Sequence, residues 1–562
     1  MSEARRLVEA LAGCAARHGA EARVAKMRLL EQLDETRIAA PATLLRFHEA
    51  LCFVLAYPDD AAIATAASRA LDGFEARVAR LPARARARLH DTGIAGTDLD
   101  YPFGLPMARW LTRRFPRDVE VAWRSFRGGD ERMEEALSLL VTPTESEAFT
   151  EGGLGWRRWL RLARGRRPSD LDALLALFAD ARIPDETRDW LFESLALPIA
   201  WRLRGAAPSR TRLRFADAPA VYHADGLRRS GIDLADELAR PLPSVRVAER
   251  PQALALIDAA RATMATRARE LHAFASPNPD DVLVADPGHG LRVALIGLLP
   301  DDRLPLDAYY AYLALKNGVP VSYGGGWGSF GRLEFALNIF ESFRQGESAL
   351  VVSQVLRVYR RVFGARTIVV DRSQIDASNP EALESGAFYF YAKLGFRSTD
   401  AGIRALAEGE RTRVAREPGY RSPLATLRRL GAADLELALD GRAAPSPVTG
   451  SALAWLVTRD IAGAFDGDRV AAAAAAAARV GRAVAPGWRR WPPPERRAFA
   501  RMATIIALIP DLARWPAAER ARLAAIMRAK GAPSERGYLE RLDGHRRLHA
   551  SLESLARAAR VP

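Results

Sequence analysis

Between Leu306 and Arg397 the hydrophobic period changes repeatedly, and that order of elements narrows the folds open to the chain. Ala308 to Lys316 alternates tyrosine with aliphatic residues, as a strand does. Asn317-Gly318 follows, the strongest short hairpin signal, because both turn positions need positive φ. Val319 to Tyr323 reads as the return strand, and Gly324-Gly-Gly-Trp-Gly-Ser-Phe-Gly as a flexible loop. Arg332 to Phe340 alternates again, with Leu333, Phe335, Leu337 and Ile339 on one face and Glu334, Ala336 and Asn338 on the other. From Glu347 to Phe363 the spacing of Val351, Val355, Val358-Tyr359 and Val362 is helical, and Gly364 is the expected C-terminal glycine. Thr367 to Val370 is predicted as a short buried strand, and Asn379 to Leu394 as a helix closed by Gly395.

A chain of 562 residues is too long for one ordinary core. Residues 1–205 read as a helical domain, 240–440 as the domain holding the patterned stretch, and 451–562 as a second helical domain. Within the middle part, Ser244-Val-Arg-Val, Val282-Leu-Val-Ala and Arg292 to Leu298 read as strands, and Pro251 to Phe274 as a helix. Residues 206–250 show no single period. The expected class is α+β: a mixed sheet with helices on both faces, flanked by N- and C-terminal all-α domains.

The chain carries 82 basic against 68 acidic residues, a net charge of +14, and only four of the basic residues are lysines (Lys26, Lys316, Lys393 and Lys530). The arginines are scattered rather than gathered on one element, which favours a compositional origin over a nucleic-acid surface. Gly155-Trp-Arg-Arg-Trp and Gly487-Trp-Arg-Arg-Trp read as helix starts with interfacial tryptophans. Two cysteines, Cys14 and Cys52, exclude a disulfide framework and are expected as buried thiols. No signal-peptide core and no membrane-spanning apolar run is present, so the expected setting is cytoplasmic, with no membrane partner. His545 and His549 have a helical metal-pair spacing, but Arg546 follows the first and no third ligand lies near. They read as solvated histidines on a basic helix.

Two segments of the central stretch carry a resemblance. Leu337-Asn-Ile-Phe-Glu-Ser-Phe-Arg resembles the end of the fourth strand of the GNAT superfamily of N-acetyltransferases, with Leu337 and Ile339 as its aliphatic pair. Arg344 matches the residue that opens the family's acyl-CoA loop; Glu341 replaces the usual proline. Counting on from Arg344, Glu347 falls at the first glycine and Ala349 at the second; counting from Gly346 instead puts Phe343 at the Arg position and Ser348 at the second glycine. Tyr391-Ala-Lys-Leu-Gly-Phe is similar to the family's Tyr-x-Lys-Leu-Gly-Phe; Ala387 also fits, and Glu384 stands where Asn is common.

The resemblance implies a GNAT-like sheet binding acetyl-CoA or another acyl-CoA as co-substrate. It implies direct N-acyl transfer to an amine acceptor, small molecule or protein, in a ternary complex. Arg344, Gln345, Gly346, Glu347, Ser348 and Ala349 would hold the pyrophosphate, and the backbone amide near Ile339 or Phe340 would polarise the thioester. Tyr391 would protonate the leaving thiolate, and Glu334 would act as general base, with Tyr323, Asn338 and Asp371 as weaker choices. The physical basis of the loop is independent of the family: a helix start exposes unpaired N–H groups and a positive dipole end, where phosphates bind. Glu347 is open to two readings, a first-turn acid suited to the dipole or a lost glycine. Two other classes stay open: a catalytically inactive binding or scaffold protein of this fold, and a nucleic-acid-associated acetyltransferase acting on a basic partner.

Overall fold

The structure is a computed structural model of the chain, and it describes residues 2–179, 183–215, 219–439, 448 and 450–559. It is mixed α and β, 54% helix, with one nine-stranded mixed sheet and one small sheet. Two compact units divide it: Met1–Leu227 with Leu254–Ser276 and Lys316–Pro320, and Arg228–Ala253 with Pro277–Leu315 and Val321–Pro562. No helix among the described residues is long and apolar enough to cross a membrane.

The first unit opens with the helices Glu3–Cys14, Ala20–Glu35, Pro41–Ala56 and Ala61–Asp72. Their apolar stripes bury Leu11, Leu33, Leu44, Phe47 and Leu51 completely. A three-stranded antiparallel sheet follows, Asp98–Tyr101 and Val119–Val121 on either side of Ile199–Arg202, with Trp201 fully buried at its centre, so the N-terminal part is not the all-α domain expected. Gly155 is the N-cap of the helix Trp156–Ala163, as its motif predicts, and Arg157 lies over the Trp156 ring at 4.4 Å. Cys52 is buried, but Cys14 is only half-buried at the helix end.

The second unit is built on the large sheet. Its strands are β1 (Val245–Val247), β2 (Pro277–Gly288), β3 (Leu291–Leu298), β4 (Ala308–Lys316), β5 (Val319–Ser329), β6 (Arg332–Ile339), β7 (Thr367–Val370), β8 (Arg397–Ser398) and β9 (Leu435–Ala438). They lie in the order β8-β9-β7-β6-β5-β4-β3-β2-β1, and β6 and β7 pair parallel. Asn317 and Gly318 join β4 to β5 with φ of 47° and 78°, the two positive values that the turn demands. The unit's helices include α1 (Leu234–Ala239), α2 (Ser348–Phe363), α3 (Pro380–Ser385) and α4 (Ala387–Lys393), then α5 (Gly450–Phe465), α6 (Arg469–Val484), α7 (Pro493–Ile506), α8 (Ala517–Ala529), α9 (Arg536–Asp543) and α10 (Arg546–Ala558), with Ala401–Arg416 and Leu424–Leu430 between α4 and α5. α2 is rich in β-branched residues, which helices disfavour. Burial outweighs that cost: Val351, Val355, Val358, Tyr359 and Phe363 are all in the core, and Gly364 ends the helix in the left-handed conformation.

The glycine run is not a loop. Gly324 to Gly328 lies inside β5 and pairs residue by residue with β6, from Gly324 opposite Leu337 to Gly328 opposite Leu333. The reason is space. A Cβ on Gly326 would stand 2.4 Å from the Tyr359 ring, one on Gly328 2.2 Å from Phe363, and one on Gly325 2.6 Å from Tyr309. The rings that cover the strand take the volume that its own side chains would fill.

Other expectations also change. The helix predicted from Asn379 to Leu394 is two helices, because Gly386 adopts φ 70° and caps α3 before α4 begins. The helix from Pro251 is Arg250–Ala265 and stops well before Phe274, where Ala268 turns the chain with φ 51°. Gly487 leads only into one 3-10 turn, Trp488–Arg490, rather than a helix. His545 is buried, not solvated: its Nδ1 accepts from the Leu548 amide at 3.1 Å and caps α10, while His549 stacks on Phe330 at 4.7 Å.

Candidate functional site

The site begins where two parallel strands part. β6 and β7 pair only from Arg332 opposite Thr367 to Glu334 opposite Val369. Beyond that, β6 continues to Ile339 with β5 alone. Gln374 closes the end of the ladder, donating its side-chain amide to the Phe335 carbonyl at 2.8 Å. At the far end of β6 the Phe340 amide donates to the Val321 carbonyl at 3.0 Å. Backbone groups alternate sides along a strand, so Ile339, opposite Ser322, turns its amide away from β5 and into the gap. Of the two amides predicted near the thioester, Phe340 is therefore committed to the sheet, and Ile339 faces the opening.

The chain leaves β6 through a short 3-10 turn, Glu341–Phe343, and enters α2. Arg344 donates Nε to the Ile339 carbonyl at 3.2 Å and pairs with Glu381. Ser348 donates its hydroxyl to the Arg344 carbonyl at 3.0 Å. No side chain caps the start of α2, so its first-turn amides keep their donors for another acceptor. They line a cavity of about 710 Å³, to which Arg344, Gln345, Gly346, Ser348 and Ala349 give one wall. Phe390, Lys393 and Leu394 of α4 and its end give a second wall. Three cations, Arg229, Arg344 and Lys393, share this space with the positive end of the helix.

Glu347 resolves in an unexpected way. It is buried, and its Oε1 accepts from the Arg228 amide at 2.9 Å. The carboxylate thus holds the segment that follows Arg228, and Arg229 to Ile232 form the third wall of the cavity. Arg228 also donates to Glu237 of α1 at 3.1 Å, and Glu237 accepts from Gln354 of α2 at 2.8 Å. Burial would raise the Glu237 carboxyl, but the hydrogen bonds from Gln354 and Arg228, with the Arg240 charge, hold it below its ordinary value.

Tyr391 is 4% exposed, packed edge-on against Phe390 and Phe396 at 5.6 Å each. Burial lifts its pKa well above the usual phenol value, so it keeps its proton throughout the physiological range. Its phenol adds to the upward shift of Tyr312 on β4, a group raised first by burial and eased by its bond to Ser322. Tyr312 and Ser322 are 2.9 Å apart, and Ser322 donates to the Asn338 carbonyl at 2.9 Å, so Tyr312 is the donor to Ser322. A buried hydroxyl pair therefore sits beside Ile339, and nothing in the alternation of Ala308 to Lys316 distinguishes Tyr312 from its neighbours.

Glu334 stands elsewhere. Tyr312 stacks on Phe335 at 5.8 Å, so Glu334, the adjacent residue on β6, points from the other face, opposite Trp327. Five strand residues, roughly 16 Å, separate it from Ile339. Its side chain is exposed by area yet partly desolvated among other acids; desolvation first, then Asp371, Asp434 and Asp307, push it up to about 7 against the pull of Arg332. Asp371 accepts from the Ser373 amide at 2.8 Å and caps the turn after β7. Tyr323 stacks on Phe340 at 5.3 Å and pairs across strands with Asn338. Among the described residues no group of three or more His, Cys, Asp or Glu is placed to hold a metal ion. Sequence reasoning missed the wall from Arg229 to Ile232, because the bond from the Arg228 amide to Glu347 is made by a backbone group, which leaves no residue pattern. No family model, no curated protein and no solved structure matches the chain.

Proposed function

We propose that the chain is an acyl-CoA-dependent N-acyltransferase with a GNAT-like central domain, transferring an acyl group directly to an amine. One observation carries this reading: an uncapped helix start, lined with cations, opens beside a strand edge that has lost its neighbour. The first feature suits a pyrophosphate, because donors and dipole point the same way. The second suits a pantetheine arm, which needs backbone partners along its length, with the Ile339 amide in reach of the thioester oxygen. Tyr391, held protonated, is suited to supply the leaving thiolate with its proton. Glu334 faces the opposite side of the sheet, roughly 16 Å along the strand from Ile339, so an amine would approach from there and pass its proton to the carboxylate through a chain of waters. Its value near 7 matches a base operating at neutral pH.

A second reading is favoured by one feature. The buried Glu347 places a carboxyl group at the N-cap of the phosphate-facing helix, as a non-catalytic relative of the fold would tolerate. Calorimetric titration with acetyl-CoA separates the two. Saturable binding, weakened by Arg344→Gln and Lys393→Gln, is the expected result; no heat at high micromolar acetyl-CoA overturns the enzyme. If CoA binds and amines are never acylated, the binding-module reading stands.

A further inference from the structure

The C-terminal helices hold a second, unrelated cavity of about 610 Å³. Arg479 and Arg482, three residues apart on one face of α6, reach it, and Arg520 of α8 enters from the other side. Its floor is the turn after α7, from Ala507 to Ala513. The guanidinium groups are held by carbonyls rather than neutralised by carboxylates. Arg479 donates to the Ala507 carbonyl, and Arg520 donates to the Ala483 carbonyl at 3.0 Å. Both acceptors lie at helix ends, where free carbonyls attract cations. The charges are thereby fixed in place and left uncompensated.

One donor is left over. The Arg520 Nε–H is buried and finds no acceptor among the described residues. An orphaned buried donor beside an open cavity is costly unless a ligand supplies the acceptor. Arg482 is exposed at the rim and makes no ion pair among the described residues. Two carboxylates line the space, Asp460 and Asp511, and Asp511 is already paired with Arg514 at 3.3 Å. Three guanidinium groups against one uncommitted carboxylate leave the cavity positive, while Leu508, Ile509 and Leu512 give it an apolar floor.

We propose that this cavity binds a small organic oxyanion, a carboxylate or phosphate carried on a short apolar body, with Arg520 and Arg482 as its principal contacts. Planar guanidinium forks match such groups bidentately. The site is separate from the cavity at α2 and does not depend on acyl transfer.

The test is calorimetric titration of the full chain with inorganic phosphate in one arm and succinate in the other. Saturable one-site binding of at least one probe below millimolar concentration is expected. Preference for phosphate or succinate assigns the oxyanion. Arg520→Gln should weaken binding by about tenfold or more, whereas Arg344→Gln, at the other cavity, should leave it unchanged. Should Arg520→Gln lose its fold by circular dichroism, Arg482→Gln is the deciding variant, since that side chain is exposed. No saturable binding of either probe at millimolar concentration overturns the proposal, as does binding that survives both substitutions when Arg344→Gln and Lys393→Gln are also present to remove binding at α2.

Discussion

Tyr391 on α4 and Glu334 on β6 show how burial assigns opposite chemistry to two groups. Desolvation raises both, yet the phenol is lifted out of the working range, whereas the carboxyl arrives at about 7. The first stays protonated and donates only to a strongly basic neighbour; the second exchanges a proton near neutrality. Tyr391→Phe is expected to lower turnover by about 10²–10⁴ while leaving acetyl-CoA affinity nearly unchanged. Steady-state rates beside a calorimetric affinity check this, and an unchanged kcat removes Tyr391 as the acid. For Glu334 the sign is fixed by the direction of its shift. The base form is the anion, so kcat/KM should rise as pH passes upward through about 7, and Glu334→Gln should flatten that limb. The same shift makes the folded state hold its proton more tightly than the unfolded chain, so Glu334 withdraws stability as pH climbs from 4.5 towards 7. A pH–rate profile in which the Gln variant keeps the limb would assign the base elsewhere.

At the scale of the element, β5 is the strand whose sequence misleads. Single-residue propensity reads five residues with four glycines as a flexible loop; the Tyr309, Tyr359 and Phe363 rings explain three of the glycines, and the Ala336 carbonyl and Tyr312 ring explain Gly324. Gly326→Ala should destabilise by about 1–3 kcal/mol, the usual cost of overpacking, because Tyr359 is itself fixed by its hydroxyl bond to the Tyr310 carbonyl at 2.6 Å. Pairing it with Tyr359→Leu removes the opposing ring, so the two losses should add to less than their sum in urea denaturation. Additive losses would mean that the ring is not what excludes the side chain. The contrast with β6 and α2 is instructive. Leu333 to Ile339 alternates and Val351 to Val362 repeats helically because those residues meet the core with their own side chains, so their periods are legible. The same applies to the hairpin at Asn317-Gly318, where two backbone angles dictate two residue types. Of the candidate site, Ile339 and Tyr391 sit on elements with a clear period, whereas Arg344 lies in the turn between β6 and α2. The parting of β6 from β7, the role of Glu347 and the wall from Arg229 depend on which long-range partner a backbone group finds, and sequence spacing does not encode that.

On the scale of the whole second unit, the helices after residue 450 are joined to the sheet by a buried polar network rather than by apolar contact alone. Arg303, next to β4, donates to the carbonyls of Lys530 at 2.8 Å and Pro533 at 2.8 Å, and lies 3.7 Å from Asp281 on β2. Asp281 accepts from the Tyr310 hydroxyl at 2.9 Å, the Ser534 hydroxyl at 2.6 Å and the Glu535 amide at 2.9 Å. Lys530 closes the circuit with Glu535 at 2.5 Å and the Asp307 carbonyl at 2.8 Å. Two acids and two bases balance, and each charge is stripped of water, so the network is stable only when complete. Lys530→Met would leave Glu535 buried beside Asp281 with one base too few, and should cost about 3–5 kcal/mol in urea unfolding. Lys530→Met with Glu535→Gln removes charge in a balanced way and should recover much of that loss, since Gln keeps an acceptor for the Tyr309 amide, now 3.3 Å from Glu535. Because Arg303, Asp281 and the Asp307 carbonyl tie the α8–α9 connection to the sheet and its loops, the single variant should melt in one transition, sheet and helices together. A separate early transition of the helices alone would show that the network orders them without holding the sheet.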